Sequence, residues 1–266
     1  MAVITTKIPT TPALVAIPAA TLLAKKNTKK AINSGPFKLD IKGGSKYTYK
    51  SDNSSIAYVA DGKVYPNSVG KTKVRVKSGS KEFVATIHIT KRTSKPHIGQ
   101  AAGNGNSGGV TTSDLWNRNH NYTQWDHVFR FKDPGKAIAA AKDMKANARN
   151  NNVTYSNVSK DRSMSFTREV RKKNWNPSKV KKKCQTACSQ LVLTIVQIVG
   201  YHRKDTDYAY SDAYHAINKL KKGSHFYQKT SKDYTEKWTK LKAGDILIDS
   251  KPKDGDEGRH AVMIVD

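Results

Sequence analysis

The chain is poor in cysteine, poor in acid and without long apolar runs. Two cysteines in 266 residues cannot build a disulfide framework. Cys184 and Cys188, spaced Cys-x-x-x-Cys, lack the four-ligand set of a structural zinc site. No run approaches the roughly 20 apolar residues of a membrane span. The mildly apolar stretch from Ala13 to Leu23 is broken by Pro18 and has no basic segment before it, so it does not read as a signal peptide. A protein of this kind working outside a cell would need another route of release. Asp and Glu number 21 against 48 Lys and Arg, a formal net charge of +27. Such a surface seeks polyanions: nucleic acid, anionic lipid, or the teichoic acids and carboxylates of a cell wall. Charge alone does not choose among them.

What is present falls into four stretches. Residues 1–19 carry Pro9, Pro12 and Pro18 among Thr and Ala and read as a disordered arm. Residues 20–91 have an all-β texture. Phe37 to Ile41, Lys71 to Val76 and Phe83 to Ile89 alternate apolar and polar residues over most of their length, and Asp61-Gly62 and Ser78-Gly79-Ser80 mark turns. Short strands at this spacing predict a small sandwich. Residues 92–113 hold Gly99, Gly103, Gly105, Gly108 and Gly109 with Ser and Asn between, the composition of a flexible linker. Residues 114–266 turn helical. A helix opens after Pro134 and ends at Asn150-Asn151-Asn152, and others are expected over 163–173 and 208–220. Two strands, 245–248 and 260–265, finish the chain around a charged loop containing Gly255 and Gly258.

The segment from Cys184 to Gly200 holds both cysteines and the longest apolar run. Leu191, Val192, Ile195, Val196 and Val199 recur at helical spacing before Gly200, which places Cys188 and Ser189 in the first turn. Unpaired N–H groups and a positive potential at a helix start favour the thiolate. A free cysteine is equally at home as a small buried hydrophobe. A cysteine hydrolase also needs a histidine to pair with the thiol and to protonate the leaving amine. His260, at the head of an apolar strand, is the best placed; a surface role is the plainer reading of one such residue. His88 and His97 lie in or beside the first domain, and His120, His127, His202, His215 and His225 sit in polar, irregular or helical surroundings. The basic segments 171–173 and 179–183 lack the interleaved aromatics of a single-strand platform and read as solvated faces. No metal or cofactor is called for.

Two resemblances sharpen this. Ser51-Asp52-Asn53-Ser54-Ser55-Ile56-Ala57-Tyr58-Val59, Asp61-Gly62-Lys63-Val64 and Val69-Gly70-Lys71-Thr72-Lys73-Val74-Arg75-Val76 look like the bacterial immunoglobulin-like module, which implies a passive spacer or adhesive surface. The C-terminal half resembles the NlpC-type cell-wall cysteine peptidases, a papain-like group that includes the CHAP amidases, and is most similar to catalytic domains of phage lysins. Cys184-Gln185-Thr186-Ala187-Cys188-Ser189-Gln190-Leu191-Val192 carries the likeness, with Trp175 and Ser178-Lys179-Val180 before it. Leu241-Lys242-Ala243-Gly244-Asp245-Ile246-Leu247 and His260-Ala261-Val262-Met263-Ile264-Val265 follow.

The resemblance implies an α+β papain-like cysteine hydrolase domain behind a separate all-β immunoglobulin-like sandwich. Cys188 would be the nucleophile, His260 the base and Tyr155 a liner of the substrate groove. Asp245 has no catalytic role in it, and Cys184 is structural or a redox partner of Cys188. Ala187 stands where the family usually has Asp, and the only nearby candidate for a third catalytic residue is Asp266. The implied function is hydrolysis of an amide bond in peptidoglycan, at the cell wall or on a phage particle, with anionic wall polymers as partners and no specific nucleic acid. The alternative is a non-catalytic wall-binding or virion protein that keeps a papain-like fold.

Overall fold

The structure, a computed structural model, describes residues 23–24, 27–43, 46–102, 108–115, 125–148, 150–201, 213–222, 224–230, 238–249 and 260–266. The expected arm over 1–19, His120, His202 and the charged loop of Gly255 and Gly258 lie outside the described residues.

The first part of the chain is β-rich. It contains β1 (Leu23–Ala24), β2 (Asn27–Ala31), β3 (Ile41–Lys42), β4 (Thr48–Ser51), β5 (Ala57–Ala60), β6 (Lys63–Pro66), β7 (Gly70–Ser78) and β8 (Lys81–Thr90). A four-stranded sheet has the order β2-β8-β7-β4, while β5 pairs with β6 and β1 with β3. The period-two pattern decides which face is buried. Val74, Val76, Ala85, Ile87 and Ile89 pack with Ile32, Leu39, Ala57 and Val64 into one core. Lys71, Lys73 and Lys77 point to solvent. Asp61 and Gly62 both have positive φ, 50° and 68°, the geometry of a two-residue hairpin turn whose twist suits the flanking β5 and β6.

The second part is α+β. Its strands are β9 (His97–Ala102), β10 (Gly109–Asp114), β11 (His127–Phe131), β12 (Val153–Tyr155), β13 (Cys184–Thr186), β14 (Phe226–Lys229), β15 (Ile246–Asp249) and β16 (His260–Ile264). They form one sheet in the order β13-β12-β10-β9-β16-β15-β11-β14. The helices are α1 (Pro134–Asn147), α2 (Lys160–Ser163), α3 (Ser165–Lys172), α4 (Cys188–Ile198) and α5 (Ala213–Lys222). Asp133 caps α1, accepting from the amides of Gly135 at 2.8 Å and Lys136 at 3.2 Å, and Pro134 sits where its missing N–H costs nothing. The helix expected over 163–173 is interrupted at Met164, which separates α2 from α3. Cys184 lies in β13, paired in parallel with β12, rather than on the cysteine helix. α4 is buried almost all round and packs on β9 and β16. Leu191, Val192, Ile195 and Val196 meet Ala101, Ala261 and Met263 in the main core.

The stretch 92–113 corrects its expected role. It supplies β9 and β10, which stand in the middle of the eight-stranded sheet, with Ile98, Ala101 and Val110 buried. Its Gly99 serves close packing: a Cβ there would lie 2.2 Å from Met144 Cγ. Residues 103–107 of that stretch are outside the described residues.

The two parts are joined by buried polar contacts. Arg130, 1% exposed, donates through its other nitrogens to both carboxylate oxygens of Asp245 at 2.7 and 2.5 Å, and through Nη1 to the carbonyl of Asn67 at 2.8 Å. Lys242 Nζ donates to Asn67 Oδ1 at 2.6 Å and to the Pro66 carbonyl at 3.4 Å. A buried cation needs such acceptors, so the end of β6 completes the hydrogen bonding of the second part.

Candidate active site

The strand registers bring the sequence-selected residues to one end of the sheet. His260 pairs with Asp249. Continuing the pairing of Met263 with Gly99 sets His260 beside Ala102. Ala102 pairs with Gly109, Gly109 with Thr154, and Thr154 with Gln185. One lateral row therefore runs from the head of β16 to β13. Tyr155 and Thr186 pair one step further out, and α4 starts two residues after Thr186 with Cys188. The start of the cysteine helix and the start of the histidine strand thus share an end of the sheet.

Cys188 opens α4 behind Ala187, which offers no side-chain cap. The first-turn amides are not taken up by a capping oxygen from that residue, and the helix start favours negative charge there. Cys188 is 8% exposed. Cys184 is also buried; its Sγ lies 3.3 Å from the Lys182 carbonyl. Burial, reinforced by the Glu169 carboxylate, pushes its thiol up to about 11, so it stays protonated and unreactive near neutrality.

His260 is 9% exposed, and its Nε2 lies 2.7 Å from Gln100 Oε1. An amide oxygen can only accept, so Nε2 donates in this contact. Gln100 is itself held, its Nε2 donating to Ser113 Oγ at 3.3 Å. The Trp125 ring lies 6.2 Å from the imidazole, centre to centre, and is itself buried. By the pleat, His260 shares its face with Gln100 and Val262, whereas α4 covers the face of Ala261 and Met263.

The other selected residues separate. Tyr155 lies at the same end of the sheet but belongs to the main core. Asp266 lies at the opposite end of β16 from His260. Its Oδ1 accepts from Arg92 at 3.1 Å and from the His97 amide at 3.0 Å, and its Oδ2 contacts the His97 ring. It is a structural carboxylate and not a partner of His260. Asp245 is held by Arg130 and by the Lys242 amide at 3.0 Å. Among the described residues no group of three or more His, Cys, Asp or Glu side chains could hold a metal. No described helix is long and apolar enough to cross a membrane. Sequence reading missed Gln100 and Trp125. Gln100 fell in the supposed linker, and its only signal was the apolar neighbours Ile98 and Ala101.

Two family models match parts of the chain. The model of the N-terminal β-sheet domain of hyaluronate lyase matches residues 43–90. That likeness supports a β-sheet domain in the first part of the chain. No curated protein matches the chain. The model of the endolysin-like domain matches residues 91–266, more than half of the sequence, and the chain belongs to that family.

Proposed function

We propose that the protein is a phage-lysin-like peptidoglycan hydrolase that cuts an amide bond of the bacterial wall with Cys188 and His260. Membership of the endolysin-like family supports the cell wall as target. The observation that carries the chemistry is the Gln100–His260 hydrogen bond at the end of the sheet where α4 begins. With Nε2 donating to Gln100, Nδ1 is oriented as the base that takes the Cys188 proton. The thiolate attacks the amide carbonyl, and the Cys188 backbone N–H at the helix start helps hold the oxyanion. The imidazolium then protonates the leaving amine. Water, activated by the same ring, hydrolyses the thioester and returns the thiol. Gln100 takes the orienting role usually given to a residue after the histidine, and Trp125 shields that hydrogen bond from water. Tyr155 backs the groove from the core side. No step requires a metal.

The test is clearing of purified walls by wild type and by Cys188→Ala. Wild type is expected to reduce turbidity and to release new amino termini, with the variant slower by at least about a thousandfold. Equal clearing refutes the mechanism. The low exposure of Cys188 and His260, 8% and 9%, favours a second reading: a wall-binding or virion protein with an idle fold of this kind. It predicts no clearing by either form.

A further inference from the structure

We infer that the solvent face of the sheet β2-β8-β7-β4 is a docking surface for a linear polyol-phosphate polymer of the wall. This rests on the proposed wall target but not on the proposed chemistry. The face is defined by the register. Lys71 pairs with His88, which pairs with Lys29; Arg75 pairs with Lys50 and Val84; Lys77 pairs with Thr48 and Glu82; Lys73 pairs with Thr86. All of these alternate with the core residues Thr72, Val74 and Val76 of β7 or Ala85, Ile87 and Ile89 of β8, or flank them from β2 and β4. Six cations therefore share one sheet face: Lys29, Lys50, Lys71, Lys73, Arg75 and Lys77.

Two carboxylates lie among them. Asp52 accepts from Arg75 at 2.9 and 3.2 Å, and Glu82 contacts Arg75 at 3.2 Å and Lys77 at 3.4 Å. They fix the guanidinium and leave the face with an excess of four positive charges. Among the described residues Lys29, Lys50, Lys71 and Lys73 form no ion pair, and all four are exposed.

The shape fits an extended polymer. Along β7 the cations at 71, 73, 75 and 77 recur every second residue, about 6.8 Å apart. Lys50 flanks that line from the neighbouring β4, and Lys29 lies on β2, one strand further out beyond β8. Between β4 and β7 the face carries a shallow cavity of about 340 Å³ lined by Thr48, Tyr49, Lys50, Arg75 and Lys77. A chain with one phosphate per short repeat can lie along such a line. Nucleic acid fits less well. Of the rings on this sheet, Tyr47, Tyr49 and Phe83 pack against the core, and of them only Tyr49 lines the cavity, too few for a run of stacked bases.

The experiment uses the full chain with Cys188→Ala, so that walls stay intact, with and without Lys50→Gln, Lys71→Gln and Lys73→Gln. Retention is measured on walls carrying their phosphodiester polymers, on walls chemically stripped of them, and on duplex DNA. The triple variant is expected to bind intact walls roughly tenfold more weakly. The gap should close as salt is raised and vanish on stripped walls. The melting temperature should not change, because the three side chains are exposed. Equal retention of both forms on intact walls overturns the inference. So does a gap that persists on stripped walls, or binding of DNA that matches binding of the wall polymer. Failure of wall clearing by the active enzyme leaves each of these outcomes readable.

Discussion

Raising the pH from 6 to 9 should stabilise this protein, and Lys242 is the reason. Its side chain is buried, 4% exposed, between the two parts of the chain, with Nζ on Asn67 Oδ1 at 2.6 Å. Burial first, and then the Arg130 guanidinium, push its ammonium down from 10.5 to about 7; Lys229 adds to this and Asp245 opposes it. A depression of that size corresponds to roughly 5 kcal/mol of cost for keeping the charge in the folded state. Below pH 7 both the folded and the unfolded chain hold the proton, so the full cost is present. Between about 7 and 10.5 the folded chain releases the proton while the unfolded chain keeps it. The unfolded state then binds more protons, and stability rises by up to about 1.4 kcal/mol per pH unit. From pH 7 to 9 that amounts to about 2 kcal/mol, or several degrees in Tm for a chain of this size. Cys184 sets the upper limit of the window. Its thiol is pushed from 9.0 to about 11, so above pH 9 the unfolded thiol ionises before the folded one and offsets the further gain from Lys242. The assay is urea or thermal denaturation of wild type and Lys242→Met at pH 6, 7, 8 and 9. Their difference cancels the groups they share, and the loss of the Asn67 contact is a constant offset. Wild type should gain on the variant only above pH 7. A difference that stays flat from pH 6 to 9 refutes the reasoning.

The two thiols should separate under alkylation of the native protein near neutral pH. Cys184 has a thiolate fraction of about one in ten thousand at pH 7, so peptide mapping should find Cys188 labelled first, and faster labelling of Cys184 counts against the proposed nucleophile. Gly244→Ala should lower stability by at least about 2 kcal/mol, because φ is +87° and the new Cβ would lie 2.5 Å from the Ala137 carbonyl oxygen. An unchanged Tm in that variant would show that the turn before Asp245 can relax.

The elements that carry Cys188 and His260 are legible in the sequence because their signals are local. The apolar period of Leu191, Val192, Ile195 and Val196 and the glycine after Val199 specify α4 and put Cys188 in its first turn. The run after His260 specifies a strand that is buried on both faces. The Asp61-Gly62 pair specifies its hairpin for the same reason: two successive positive φ angles are cheapest with those residues. The segment 92–113 was misread because glycine has two uses that composition does not distinguish. A glycine can loosen a chain, or it can let another element come close. Gly99 does the second, since Met144 occupies the space a side chain would need. Nothing near residue 99 in the sequence announces a helix that lies 45 residues on.

The contacts that sequence does not announce share a physical cause. Gln100 reaches His260 across 160 residues of sequence, and a side-chain amide has no periodicity that marks it for a histidine. Arg130 and Asp245 are 115 residues apart and both fully desolvated, a pairing that only the closed fold can satisfy. Asp266 was the reasonable third group by sequence distance, six residues from His260, yet a strand separates its ends by about 3.3 Å per residue. The five residues of β16 and the two that follow carry the carboxylate to the far rim, where Arg92 and His97 hold it. A partner for the ring must come from a neighbouring strand in register, and β9 supplies one. Strand geometry, more than nearness in sequence, selects the group that orients this histidine.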